Sequence, residues 1–151
     1  MKSRGTQAKE ERGAAMTTEA NKELVRRYVE LWNTGNLPLA DEILAPEFVD
    51  HTHPGRAPGP ESVKDEINTF RAAFPDAQVV VEQMIGEADT VAFRFIARGT
   101  HQGTFGPFPP TGKEAVLTGM DFVRIADGKL VELWSSQDTL SWAKQLGLKF
   151  Q

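Results

Sequence analysis

Hydrophobic residues recur at helical spacing at Leu24, Tyr28, Leu31 and Trp32. The chain is therefore predicted to enter a first helix at Thr18, a residue able to cap it, and to leave it at Gly35. A short second helix is predicted over 37–44 behind Asn36, with Pro38 tolerated in its first turn. A third runs over 61–74 on the stripe Val63, Ile67, Phe70 and Phe74, and Pro75 ends it. Elsewhere the period is two. Over 46–53, Val49, His51 and His53 share one side and Phe48, Asp50 and Thr52 the other. Over 77–85, Val79, Val81 and Gln83 alternate against Val80, Glu82 and Met84, and 86–89 turns the chain back. The returning strand, 90–101, sets Val91, Phe93, Phe95 and Ala97 against Ala92, Arg94, Ile96 and Arg98. Both of its faces carry apolar residues, which predicts a central strand with a helix on one side and a cavity on the other. Strands over 113–126 and 129–135 and a closing helix over 139–146 complete the pattern, with Pro/Gly-rich crossings at 54–60 and 102–112.

Composition limits what this pattern can mean. At 151 residues the chain fits one domain with a single sizeable core, and it shows no repeats. Residues 1–15 are polar and without periodicity, so they are expected to form a mobile extension to a domain over 16–151. A net charge of -4, with Lys and Arg scattered among acids, gives no concentrated basic face for nucleic acid. Cysteine is absent, which excludes disulfides, thiolate nucleophiles and cysteine metal ligands. No apolar run approaches the roughly 20 residues that span a bilayer, and no signal-peptide core is present, so no membrane is expected and the cytoplasm is the default.

Few polar residues stand where chemistry could use them. Asp138 lies at the junction between the last strand and the closing helix, next to Trp134, Leu140 and Trp142. Burial there would raise its pKa into the range of a general base; alternatively it caps the helix through its side-chain oxygen. Asp121 lies mid-strand among apolar residues, where an acid needs a partner or a function. Arg94 is either paired with an acid on a neighbouring strand or placed at the pocket. His101 ends the strand of Phe93 and Phe95, as an oxyanion donor or as an anchor for the loop that follows. Ser136 precedes Asp138 by two and projects to the same side, with Trp134, if the strand runs on. Tyr28 and Trp32 are core or pocket wall; Phe105 and Phe108 are a lid or packing for the sheet edge. His51 and His53 have the spacing of two metal ligands, but the nearest acid, Asp50, falls on the opposite face. No metal is expected, and His51 is placed at the pocket rim.

The blocks Arg98-Gly99-Thr100-His101-Gln102-Gly103, Pro109-Pro110-Thr111-Gly112-Lys113, Gly119-Met120-Asp121-Phe122-Val123-Arg124 and 128–147 occur here in an order that resembles the SnoaL-like polyketide cyclase family. That resemblance implies the α+β, cone-shaped fold of the nuclear transport factor 2-like superfamily: a curved, mostly antiparallel sheet with three to four helices round a deep pocket. It also implies an Asp acid/base, carried over to Asp138, which closes a polyketide ring by intramolecular aldol condensation without metal or organic cofactor. His101 and Asp121 would support it, and Tyr28, Trp32, His51, Arg94, Phe105, Trp134 and Ser136 would bind a small apolar or aromatic carbonyl compound. Some family enzymes carry a stronger polar group, such as a His, near the Asp121 and Ser136 positions. A homodimer is expected through the apolar outer face of the sheet. Two other readings stay open: a non-catalytic binding module, and an epoxide hydrolase or dehydratase using Asp121, Arg94 and Asp138. A bridged Asp-Arg-Asp set in the cavity would favour the hydrolase.

Overall fold

A computed structural model describes the backbone of residues 4–149 and the side chains of residues 18–149. Helix α1 (Arg4–Thr34) is followed by α2 (Pro38–Ile43), β1 (Leu44–Asp50), α3 (Pro60–Ala73), β2 (Gln78–Glu87), β3 (Thr90–Thr100), β4 (Glu114–Ala126), β5 (Lys129–Gln137) and α4 (Thr139–Gln145). Thr18 thus lies inside α1 instead of capping it, since the preceding residues are mostly good helix formers such as Ala, Glu, Lys and Gln. The segment 1–15, expected as a mobile extension, is described only in its backbone from Arg4 onward, as part of α1, and residues 1–3 lie outside the described residues. The helix ends where the sequence places its end: Gly35 takes a positive φ of 68°, as a residue closing a helix commonly does.

The five strands form one sheet in the order β1-β5-β4-β3-β2. Three pairings are antiparallel and the β1–β5 pairing is parallel, so the sheet is mostly antiparallel and the fold is α+β. In β3 and β4 the odd-numbered residues from Val91 to Ala97 and from Gly119 to Ile125 are buried or line the interior, while even-numbered residues such as Arg94, Met120 and Phe122 are exposed. The main core lies between this inner face and α1, α2 and α3, around Val25, Leu31, Ile43, Ile67, Val91 and Val123. A second cluster, Ala73, Phe74, Ala77, Ala115 and Leu146, seals the end near α4. In β2 the alternation breaks: the register shifts between Val81 and Gln83, which turns Met84 toward the core instead of leaving it opposite Val81. An extra residue in one strand reverses every side chain beyond it.

Polar ties hold the helices at fixed depth. Asn33 donates to Val79 O at 2.9 Å and accepts from Val79 N at 2.7 Å, fastening the end of α1 to β2 as a strand neighbour would. Arg71 on α3 donates to the carbonyls of Trp32 and Asn33, filling acceptors that the end of α1 leaves open. These bonds fix the end of α1, and Trp32 with it, against α3 and β2.

Candidate functional site

Between the inner face of the sheet and helices α1 and α3 lies a cavity of about 590 Å³, within the range of small-molecule sites. Its walls include the rings of Tyr28, Trp32, Phe70, Phe93, Phe95, Phe105 and Trp142. The rings brace one another: Trp32 meets Tyr28 and Phe70 edge-on, and Phe105 meets Trp142 edge-on. On β4, Gly119 lies opposite Phe95 on β3, and a Cβ there would stand 2.6 Å from the Phe95 ring and 3.0 Å from Gln137 Cγ.

Of the acids that line this cavity, Asp121 is the buried one. It is 6% exposed and lines the interior with Ser135 and Gln137. Ser135, its cross-strand partner, hydrogen-bonds to the carboxylate and accepts in turn from Gln137 Nε2 at 3.1 Å. The other oxygen, Oδ1, is buried with no hydrogen-bond partner among the described residues. Burial pushes the carboxyl up to about 6; the Ser135 hydrogen bond opposes this, and the charges of Asp50 and Glu66 add to it. Such a group is ionised at neutral pH yet far more basic than an ordinary aspartate. Tyr28, buried above it, has its hydroxyl pKa raised well beyond the usual value by burial and then by Asp121, Glu66 and Asp50. It therefore stays protonated and can donate.

At the other end the cavity is charged. Strand β1 ends at Asp50, and the turn that follows brings the Asp50 Oδ2 and His53 Nδ1 atoms to 2.8 Å. Asp50 Oδ1 accepts from Thr52 N at 2.8 Å. Arg56 is hydrogen-bonded to Glu66 and lies 3.9 Å from Asp50 Oδ2. Ligand atoms of Asp50, His53 and Glu66 all fall within 4.8 Å of one another, a spacing a metal could use. The Arg56 guanidinium, touching both acids, supplies the positive charge itself.

The structure sorts the residues singled out in the sequence onto two sides of the sheet. Asp121, Tyr28, Trp32 and Phe105 line the cavity. Asp138, Ser136 and Arg94 instead share a shallow groove on the outer face, because even-numbered positions point outward at this end of β5. Asp138 is exposed and caps α4, accepting from Ser141 N at 3.0 Å. Arg94 pairs with Glu82 at 3.5 Å. Trp134 also faces outward and stacks on His51 at 4.8 Å, while His51 Nε2 meets Glu132 at 3.0 Å. His51 is thus on the outer face and not at the cavity rim, because the strand carrying it stops at Asp50. Hydrogen bonds from Arg124, with a smaller contribution from His51, hold Glu132 below its usual pKa.

His101 is fully buried beside the second core cluster, stacked on Phe74 at 5.2 Å. Its Nδ1 accepts from Thr111 N at 3.3 Å, and its backbone bonds to Lys113 and Gly112 close the loop. It anchors the loop and does not line the cavity. Asp121, Arg94 and Asp138 do not meet, so the Asp-Arg-Asp set is not formed from them. Sequence reasoning missed Ser135 and Gln137, displaced by one position from Ser136, and the partnership of Asp50 with His53. For the first no local signal exists: only the pairing of Ser135 with Asp121 across β4 and β5 tells it from Ser136.

The chain matches the SnoaL-like polyketide cyclase family over residues 22–146 and belongs to it. Among characterised relatives, it is 28% identical over 131 residues to the aklanonic acid methyl ester cyclase DauD of Streptomyces sp. (strain C5), covering 83% of this chain and 80% of that protein. It is also 28% identical to the cyclase of the same description, DnrD, from Streptomyces peucetius, over 83% of this chain and 89% of that one. Among solved structures, IdmH from Streptomyces antibioticus is 31% identical with a TM-score of 0.73, covering 85% of this chain and 99% of that one. TsrD from Streptomyces laurentii has the same fold, with a TM-score of 0.81 at 22% identity over 87% of this chain and 97% of that one. Among the described residues, no helix is long and apolar enough to cross a membrane.

Proposed function

We propose that the protein is a cofactor-independent cyclase that closes a ring in a carbonyl-rich, aromatic small molecule by intramolecular aldol condensation, with Asp121 as general acid/base. The observation that carries this reading is the buried carboxylate on the cavity, with one oxygen held by Ser135 and the other without a hydrogen-bond partner among the described residues. A proton taken from a carbon flanked by carbonyls leaves an enolate, which attacks a second carbonyl of the same molecule. General-base catalysis of this kind contributes about 10²- to 10⁴-fold. The neutral Tyr28 hydroxyl supplies a donor for the developing oxyanion.

Two relatives named for the cyclisation of aklanonic acid methyl ester make that ester the first substrate to offer. Its cyclisation, together with deuterium incorporation from heavy water into a panel of 1,3-dicarbonyl and aryl-ketone carbon acids, tests the reading with wild type and Asp121→Asn. Exchange by wild type that the variant loses supports it; equal exchange by both removes Asp121 from the role.

Homodimerisation belongs to the same proposal. Val80, Ile85, Met120, Phe122 and Trp134 are exposed on the outer face of the sheet, an apolar surface of the kind that marks an interface. A second reading, water activation for hydrolysis or dehydration, draws on the Asp50-Arg56-Glu66 set at the charged end of the cavity. Oxygen-18 from labelled water in the product would favour hydrolysis over ring closure, and a product lighter by one water would favour dehydration.

A further inference from the structure

Two separate proton-handling groups face one cavity. Asp121 lies on β4 at the apolar end. His53 lies beyond β1 at the charged end and lines the same cavity. The influence of the Asp50 charge on both Asp121 and Tyr28 reflects that shared space. An aldol closure needs two proton movements, one off carbon and one onto the new alkoxide, at different atoms of the substrate. One carboxylate would have to serve both places.

The surroundings of His53 suit the second movement. Its Nδ1 is engaged with the Asp50 carboxylate at 2.8 Å, and a carboxylate accepts from whichever ring nitrogen carries the proton, so Nδ1–H is fixed there. The other Asp50 oxygen is held by the Thr52 amide, which keeps the carboxylate from rotating away. Arg56 is tied to Glu66, so it does not take the place of His53 on Asp50. Among the described residues Nε2 has no protein partner, and the side chain is partly open to solvent. A carboxylate on the far nitrogen of an imidazole both orients the ring and offsets the positive charge it carries when protonated.

Resting on the reading of Asp121 as the base, we propose that His53, positioned by Asp50, is a second catalytic residue that protonates the alkoxide formed on ring closure. The substrate C–H bond breaks, its proton passes to Asp121, and the electron pair remains as the enolate. The enolate carbon bonds to the carbonyl carbon, the carbonyl π pair moves onto oxygen, and that oxygen takes the Nε2 proton of His53, whose ring enters the step as the imidazolium with Nδ1–H on Asp50 and leaves it neutral. Asp121 then carries one proton more and His53 one fewer, and exchange with water restores both. The substrate is isomerised with no oxidant, reductant or co-reactant.

The test uses aklanonic acid methyl ester in heavy water with wild type, His53→Gln, Asp50→Asn and Asp121→Asn, following deuterium entry into unreacted ester and the yield of cyclised product. His53→Gln is expected to keep deuterium entry within about threefold while ring closure falls about 10²-fold, with Asp50→Asn showing the same split more weakly. Ring closure unchanged in His53→Gln, or both readouts lost together, overturns the proposal. Deuterium entry retained by Asp121→Asn is the distinct failure of the underlying reading.

If wild type does not act on this ester, the ¹⁵N–¹H spectrum of the histidine rings decides. A His53 Nδ1–H that moves on Asp50→Asn supports the positioned dyad, and a ring protonated on Nε2 alone overturns it. Zn²⁺ uptake that requires both Asp50 and His53 also overturns it, because the pair would then be a ligand set. A half-exposed His53 makes His53→Gln a folded protein, which thermal unfolding checks.

Discussion

Asp121 and Ser135 face each other across β4 and β5, and the hydroxyl of the second steadies one carboxylate oxygen of the first while the other has no partner among the described residues. A buried acid held by one side only is costly to the fold and useful to a reaction, and both halves of that statement can be measured.

The cost appears as a pH dependence. Folding lifts the Asp121 pKa from 3.8 to about 6. Between those values the folded chain holds a proton that the unfolded chain has released, so stability falls as pH rises through this window and the deficit is complete above about 6. A rise of this size corresponds to on the order of 3 kcal/mol. Asp121→Asn, which cannot ionise, should therefore unfold at higher urea than wild type at pH 8, by on the order of 1–2 kcal/mol once its own amide burial is counted. At pH 4, where the wild-type acid is protonated and only the cost of burying the amide remains, the variant should be the less stable by on the order of 1–2 kcal/mol, and its ring-closing activity should be lost at either pH.

Ser135→Ala removes the donor that holds the Asp121 pKa down. Its acid limb in the pH–rate profile should move upward by about one to two pH units, since a hydrogen bond to a charged group contributes about 1.5–3 kcal/mol. Activity lost without movement of that limb would point to a packing defect instead.

Asp138→Ala takes away the cap of α4 and should lower stability by about 1 kcal/mol, with ring closure kept within a few-fold. Asp138→Asn, itself a good cap, should change neither. Activity abolished at unchanged stability would return Asp138 to the role of base.

The outer face predicts a quaternary consequence. Phe122 and Trp134 are cross-strand partners there, and Phe122→Glu combined with Trp134→Lys should yield a folded monomer by analytical ultracentrifugation where wild type sediments as a dimer. A wild-type monomer at micromolar concentration would end the dimer proposal.

Much of the architecture was legible because periodicity is a local property. The stripe Val63, Ile67, Phe70 and the alternation of Val91, Phe93, Phe95 and Ala97 each report a buried face without knowledge of the rest of the chain. Asp121 was legible for a similar reason: an acid between Met120 and Phe122 on a long strand has few ways to be stable. Which side of β5 faced inward was not, since Ser135 and Ser136 are chemically alike and only pairing with β4 tells them apart. The partnership of Asp50 and His53 was hidden by treating 46–53 as one strand, in which they point in opposite directions. The strand stops at Asp50, the turn folds the histidine back, and a pair that alternation would separate becomes a contact.

Gly119 leaves the Phe95 ring resting against bare backbone, two residues along the strand from the acid and on the same side. The depth of the chamber is thus gauged by a missing methyl. Restoring it would push an aromatic wall inward without touching a single proton-carrying group. Reach and reactivity are consequently separable in this protein: the length of molecule admitted can drift by the smallest change a codon allows, while the acid that would act on it stays where it is.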